Sequence, residues 1–147
     1  MKPKKIVIAA DHAGYDLKVK IVDYLRSKQY IVEDLGTDSP DSVDYPDFGH
    51  ALAEHVSTQQ YDLGISLCGS GNGINITANK HPMIRSALCW RKDIAELARR
   101  HNNANICALP ARFISYELAC EIVDAFINTP FDGGRHQRRI EKIPIKP

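Results

Sequence analysis

Five short apolar or β-branched runs, Lys5 to Ala10, Tyr30 to Leu35, Asp62 to Leu67, Arg85 to Trp90 and Asn105 to Leu109, alternate along the chain with stretches of helical periodicity. The runs are nearly continuous in apolar character, which is the pattern of strands covered on both faces. Between them Leu17, Ile21, Tyr24 and Leu25 keep helical spacing, as do Phe48, Leu52 and Val56, then Ile94, Leu97 and Ala98, and finally Leu118, Ile122, Ala125 and Phe126. Parallel strands need a crossover long enough for a helix, and these spacers supply one each time. The alternation therefore predicts an α/β fold: a doubly wound, Rossmann-like sheet of five parallel strands with helices on both faces. Ligands of such sheets sit beyond the carboxyl ends of the strands.

A chain of 147 residues with 44% hydrophobic and 25% charged residues builds one substantial core, so one domain over 1–147 is expected. Nineteen basic against 18 acidic residues leave a formal charge of +1, which gives no reason to expect nucleic acid as a partner. Cys68, Cys89, Cys107 and Cys120 form neither a CxxC pair nor a zinc spacing, as suits reduced thiols in a cytoplasmic protein. Lys2 to Lys5 followed by Ile6 to Ala10 imitates a signal peptide, but the apolar run is too short and Asp11 ends it. No stretch is long enough to span a membrane. Gly36 to Pro46 reads as the longest loop, and its aspartates and Tyr45 are placed to line a site.

The chemistry concentrates at Cys68-Gly69-Ser70-Gly71-Asn72-Gly73, directly after the third strand. Alternate glycines allow positive φ and close backbone approach, so successive amides can converge on an anion or a developing oxyanion. A helix opening at Asn72 would add positive potential and favour thiolate at Cys68. The competing reading is packing, since free cysteines are among the most buried residues. Asp11-His12 after the first strand, His101-Asn102 before the fifth and Arg112 after it are expected to join Cys68 in one crevice. Asp11 also fits a helix cap, and Arg99 and Arg100 fit cations at a helix C-terminus. Arg135 and Arg139, four apart, project from one helix face and can grip one phosphate, with Arg138 pointing elsewhere. His50, His55 and His81 read as surface or satisfied residues, and without an HxH or HxxxH pair no metal is assigned.

Taken together, Ala10-Asp11-His12-Ala13-Gly14, Asp44-Tyr45-Pro46, the Cys68 loop with Ala78-Asn79-Lys80, His101-Asn102-Asn103-Ala104-Asn105 and Gly133 to Arg139 make the chain resemble type B ribose-5-phosphate isomerases, in the group that includes galactose-6-phosphate isomerase subunits. The match runs over nearly the whole chain. The resemblance implies interconversion of ribose 5-phosphate and ribulose 5-phosphate, a pentose phosphate pathway step, without metal or organic cofactor. It implies a site shared between two subunits of a homodimer, or of a tetramer built from dimers. It also implies Cys68 as base, His101 as the group assisting ring opening, and Asp11, His12, the Gly69 to Gly73 amides and Asn102 around the sugar. Arg112, Arg135 and Arg139 fall to the phosphate end. Some relatives use a glutamate at the position of Ile74 as base; here that position is apolar. Met83 stands where glycine is common, and Ala108 to Ala111 replace a glycine-containing turn, so loop shape is expected to differ there.

Aldose to ketose isomerisation needs a base and donors to an enediolate oxygen, which Cys68, Ser70 and the loop amides can supply. The phosphate lies on C5, away from C1 and C2, so two separate anion-binding elements are expected. Three other readings stand beside this one. A hexose 6-phosphate isomerase needs only a shifted arginine end. A nucleotide-binding module is disfavoured by GxGxG spacing and the lack of an acidic ribose partner. A non-catalytic interaction protein on the same fold is the third.

Overall fold

The computed structural model describes residues 4–146, so Lys2 of the basic start lies outside the described residues. Five strands, β1 (Lys5–Ala10), β2 (Ile31–Asp34), β3 (Leu63–Cys68), β4 (Ser86–Leu88) and β5 (Ile106–Pro110), form one sheet in the order β2-β1-β3-β5-β4 with every pairing parallel. Six helices join or follow them: α1 (Tyr15–Ser27), α2 (Tyr45–Ser57), α3 (Asn72–Ala78), α4 (Lys92–Asn102), α5 (Tyr116–Asn128) and α6 (Arg135–Ile140).

The pleat sorts each buried strand onto two faces. On β1, Ile6, Ile8 and Ala10 join one core with Ile21 and Leu25 of α1, Ala98 of α4 and Phe126 of α5. Val7 and Ala9 face the opposite side, against Leu52, Ala53 and Val56 of α2 and Ala78 of α3. Helices cover both faces, as the continuous apolar runs predict. The edge strands differ from the central ones: β2 buries only Val32, and no residue of the three-residue β4 is fully buried.

The chain leaves β1 for β2 on one side and returns to β3 on the other, so the order reverses between β1 and β3. That switch point opens a crevice beyond the carboxyl ends of the two strands. Asp11 follows β1 there, and Cys68 is the last residue of β3. Helices of this fold run back toward the amino ends of the strands, so the end of α4 lies on the far side of the sheet. The segment after Pro130 adds a short helix on α4 rather than a further layer: His136 and Ile140 of α6 are buried.

Candidate active site

The Asp11 carboxylate accepts hydrogen bonds from the Ala13 and Gly14 amides at 3.0 and 3.2 Å through Oδ1. It shapes the turn that leads to α1 but does not cap the helix, whose N-cap is Gly14 without a side-chain hydrogen bond. The capping reading is thereby corrected to a turn-holding role; Oδ2 makes none of the described hydrogen bonds. His12 accepts from the Val43 amide through Nδ1 at 3.2 Å, which ties the loop before α2 to the switch point. Cys68 faces the α2 and α3 side, 4% exposed, with Ile74, Ala108, Phe48 and Leu88 around it. Ile74 is thus an apolar wall beside the thiol.

Only one of the three loop glycines needs left-handed backbone: Gly71, at φ 78°, caps α3. Gly69 and Gly73 matter through the space they leave. A Cβ on Gly69 would lie 3.2 Å from Nη1 of Arg112, and one on Gly73 would lie 2.5 Å from the Tyr45 ring. Of the two uses expected of the alternate glycines, Gly71 takes positive φ, and Gly69 and Gly73 give close approach to neighbouring side chains. Ser70 accepts from the Asn72 amide at 3.3 Å and from its side-chain nitrogen at 3.2 Å. With both lone pairs used, its proton remains available for donation. The Ala111 and Arg112 amides donate to the Cys68 and Gly69 carbonyls, each at 3.0 Å, so the turn after β5 buttresses the loop.

One expectation fails within a single chain: His101 and Asn102 do not reach this crevice. Cys68 pairs with Pro110 at the carboxyl end of β5, whereas His101 and Asn102 end α4, before β5 begins at Ile106. The length of β5 separates them, roughly 13 Å at the usual strand rise. Arg85, just before β4, donates to the Asn102 carbonyl at 3.0 Å and fixes that corner at the amino edge of the sheet. The physical reason is helix direction: a crossover helix must carry the chain back to the amino end before the next parallel strand can start.

His101 instead stacks on His136 of α6, with ring centroids 4.3 Å apart and planes 14° off parallel. Burial lowers the basicity of His136, helped by the neighbouring His101 and Arg135. Arg135 and Arg139 flank His136 on α6 and are exposed. Arg112 rests on the glycine loop, so the three arginines form no common cluster in one chain. The first expectation for the α4 cations holds for the arginines: Arg99 donates to the Ala104 and Thr129 carbonyls, and Arg100 pairs with Asp132 at 3.3 Å. His50 and His81 approach each other at 2.7 Å, and His55 meets the Ala51 carbonyl.

Sequence reasoning missed that Asp132 comes to this corner: one ligand-capable atom from each of His101, Asp132 and His136 lies within 4.8 Å of the others. No local spacing signals it, because Asp132 and His136 reach His101 only through the docking of α6 on α4.

A nearly buried thiol beside a glycine turn at the switch point of a parallel sheet is the kind of site that α/β enzymes for small anionic metabolites use. The model of the Ribose/Galactose Isomerase family matches residues 6–143, and the chain belongs to that family. Ribose-5-phosphate isomerase B of Escherichia coli is 42% identical over 140 residues, covering 95% of this chain and 94% of its own length. A ribose 5-phosphate isomerase structure from Thermotoga maritima superposes with a TM-score of 0.94 at 54% identity, covering 95% of this chain and 97% of that one. The Mycoplasma genitalium ribose-5-phosphate isomerase B structure, which holds ribulose-5-phosphate, gives a TM-score of 0.91 at 45% identity, over 95% of this chain and 93% of that one. The fold and the isomerase class read from the residues agree with these relatives. No helix among the described residues is long and apolar enough to cross a membrane.

Proposed function

We propose that this chain, acting as one domain, interconverts ribose 5-phosphate and ribulose 5-phosphate in a homodimer whose two active sites each draw on both copies. The observation that carries the reading is the split of the candidate residues between opposite ends of one sheet. One end has base and loop; the other has His101, Asn102, Arg135 and Arg139. Neither half can both open a sugar ring and move its carbon-bound proton. A two-fold arrangement that sets the loop end of one copy against the α4 and α6 end of the next completes two sites at once. Exposed Tyr45, Ile76 and Phe113 on the elements around the loop favour such an association.

In this reading the sugar enters as a ring, and His101 of one copy transfers the proton that opens it. Cys68 of the other takes the proton from C2, and Ser70 with the Gly69 to Gly73 amides holds the enediolate oxygen. The thiol then returns the proton to C1 while the O2 hydroxyl proton passes to O1, which leaves the ketone at C2. Asp11, His12, Tyr45, Asn72 and Asn102 orient the hydroxyls, while Arg112, Arg135 and Arg139 hold the C5 phosphate. The reaction is redox-neutral and moves protons alone, so the residues suffice without a cofactor. The family's name also covers galactose isomerases, which keeps a hexose 6-phosphate as second substrate.

The deciding experiment converts ribose 5-phosphate with purified protein, with allose and galactose 6-phosphates in parallel. Pentose turnover well above hexose turnover is expected, and the reverse order would move the assignment to the hexose. Cys68→Ala should lose at least about 10³-fold in kcat, as expected when a general base is removed, while phosphate-dependent binding persists. Full activity in that variant would remove Cys68 as base.

A further inference from the structure

We infer that His101, Asp132 and His136 form a binding site for a divalent transition metal of the zinc class, which inhibits the enzyme when occupied. Two imidazoles and a carboxylate are the donor set that zinc and its neighbours prefer, with a fourth position left for water. The three ligand atoms already lie within 4.8 Å of one another. Bonds of about 2.0–2.1 Å in a tetrahedron place ligands ~3.4 Å apart, so closing the site draws the ligand atoms at most about 1.4 Å nearer one another. The supporting contacts are also present. Arg100 holds the Asp132 carboxylate from outside, at 3.3 Å to Oδ2 and 3.5 Å to Oδ1. The Asp132 amide donates to the Arg100 carbonyl at 3.0 Å, anchoring the loop that carries the carboxylate. A carboxylate has lone pairs for both partners, so the arginine can orient it without displacing the metal. The stack of His101 on His136 keeps both rings within reach of one ion, and turning them out of the stack is what aims their lone pairs at it.

The inhibitory sense rests on the function proposed above. A ring nitrogen committed to a metal cannot pass the proton that opens the sugar ring, so metal and closed-ring substrate compete for His101. Asp132 has no part in the proposed chemistry, which makes it the handle for a test.

Protein stripped with chelator is titrated with zinc sulfate by calorimetry, and isomerase activity is followed over the same zinc range. About one zinc per chain is expected, with activity falling as the site fills and returning when chelator is added. Asp132→Asn should weaken zinc binding by about 10–100-fold and shift the inhibition curve by the same factor, with activity in chelator unchanged. His50→Gln, which dismantles the other histidine pair, should change neither curve. Zinc binding that is absent, that survives Asp132→Asn undiminished, or that is lost in His50→Gln overturns the site. Binding without inhibition overturns the inhibitory role. The calorimetry needs no turnover, so a chain that binds zinc but isomerises no sugar would refute the proposed function and leave the metal site standing.

Discussion

Lys18 is 1% exposed on α1, and its ammonium meets both carboxylate oxygens of Asp34 at 2.7 Å. Asp34 is 30% exposed and also accepts the Gly36 amide at 2.9 Å. Gly36 in turn accepts from the Ala10 amide, the residue before Asp11, so this ion pair frames the back of the switch point. The two partners are unequal, and the inequality decides the outcome of removing each. Asp34→Ala strands a buried ammonium and should cost about 3–5 kcal/mol. Lys18→Met leaves a carboxylate that keeps the Gly36 amide and reaches water, so its cost should stay near 1–2 kcal/mol. Urea unfolding of both variants checks this. A larger loss for Lys18→Met would mean that packing of the lysine stem, rather than the charge, holds α1 on the sheet.

Among the elements, β1, β3 and β5 are the clearest in the sequence because burial on both faces makes their apolar runs continuous, and their ends fall within a residue of expectation. β4 shrinks to Ser86–Leu88 because it is an edge, where apolar character outruns hydrogen-bonded pairing. The position of His101 at the amino edge was implied by the direction of α4, a consequence of topology rather than of any local motif. The His101 and His136 stack was not legible, since nothing in residues 129–140 specifies that α6 docks on α4. The loop after α3 holds a local conflict at a position where an altered loop shape was expected: Met83 adopts φ 72°. Its side chain is exposed, and its carbonyl accepts from Asn105 at 2.8 Å. Left-handed backbone costs a non-glycine residue about 1–2 kcal/mol, of which the greater freedom of glycine in the unfolded chain takes back about half. Met83→Gly should therefore stabilise the protein by about 0.5–1 kcal/mol, raising Tm by roughly 1–4 °C. A fall in Tm in a thermal scan would show that the methionine side chain packs more favourably than its exposure suggests.

For the whole molecule, the parallel sheet has two ends of different chemistry, and a shared site makes a numerical prediction that a self-contained site cannot imitate. Cys68→Ala and His101→Asn chains, each inactive alone, are mixed and allowed to exchange subunits. Random pairing leaves about half the dimers heteromeric by the symmetry of a two-fold interface. In each heterodimer one site receives both lesions and the other receives neither, because base and ring-opening group come from different copies. Mixed protein should thus recover about a quarter of the wild-type activity per chain. If both residues served one site from one chain, every site in the mixture would carry a lesion and nothing would be recovered. The same count fixes the partner as a second copy of this chain, since the purified mixture holds no other protein to complete the site. Recovery near a quarter, measured with ribose 5-phosphate after exchange, would establish that the split between Cys68 and His101 across the sheet is the reason the enzyme pairs.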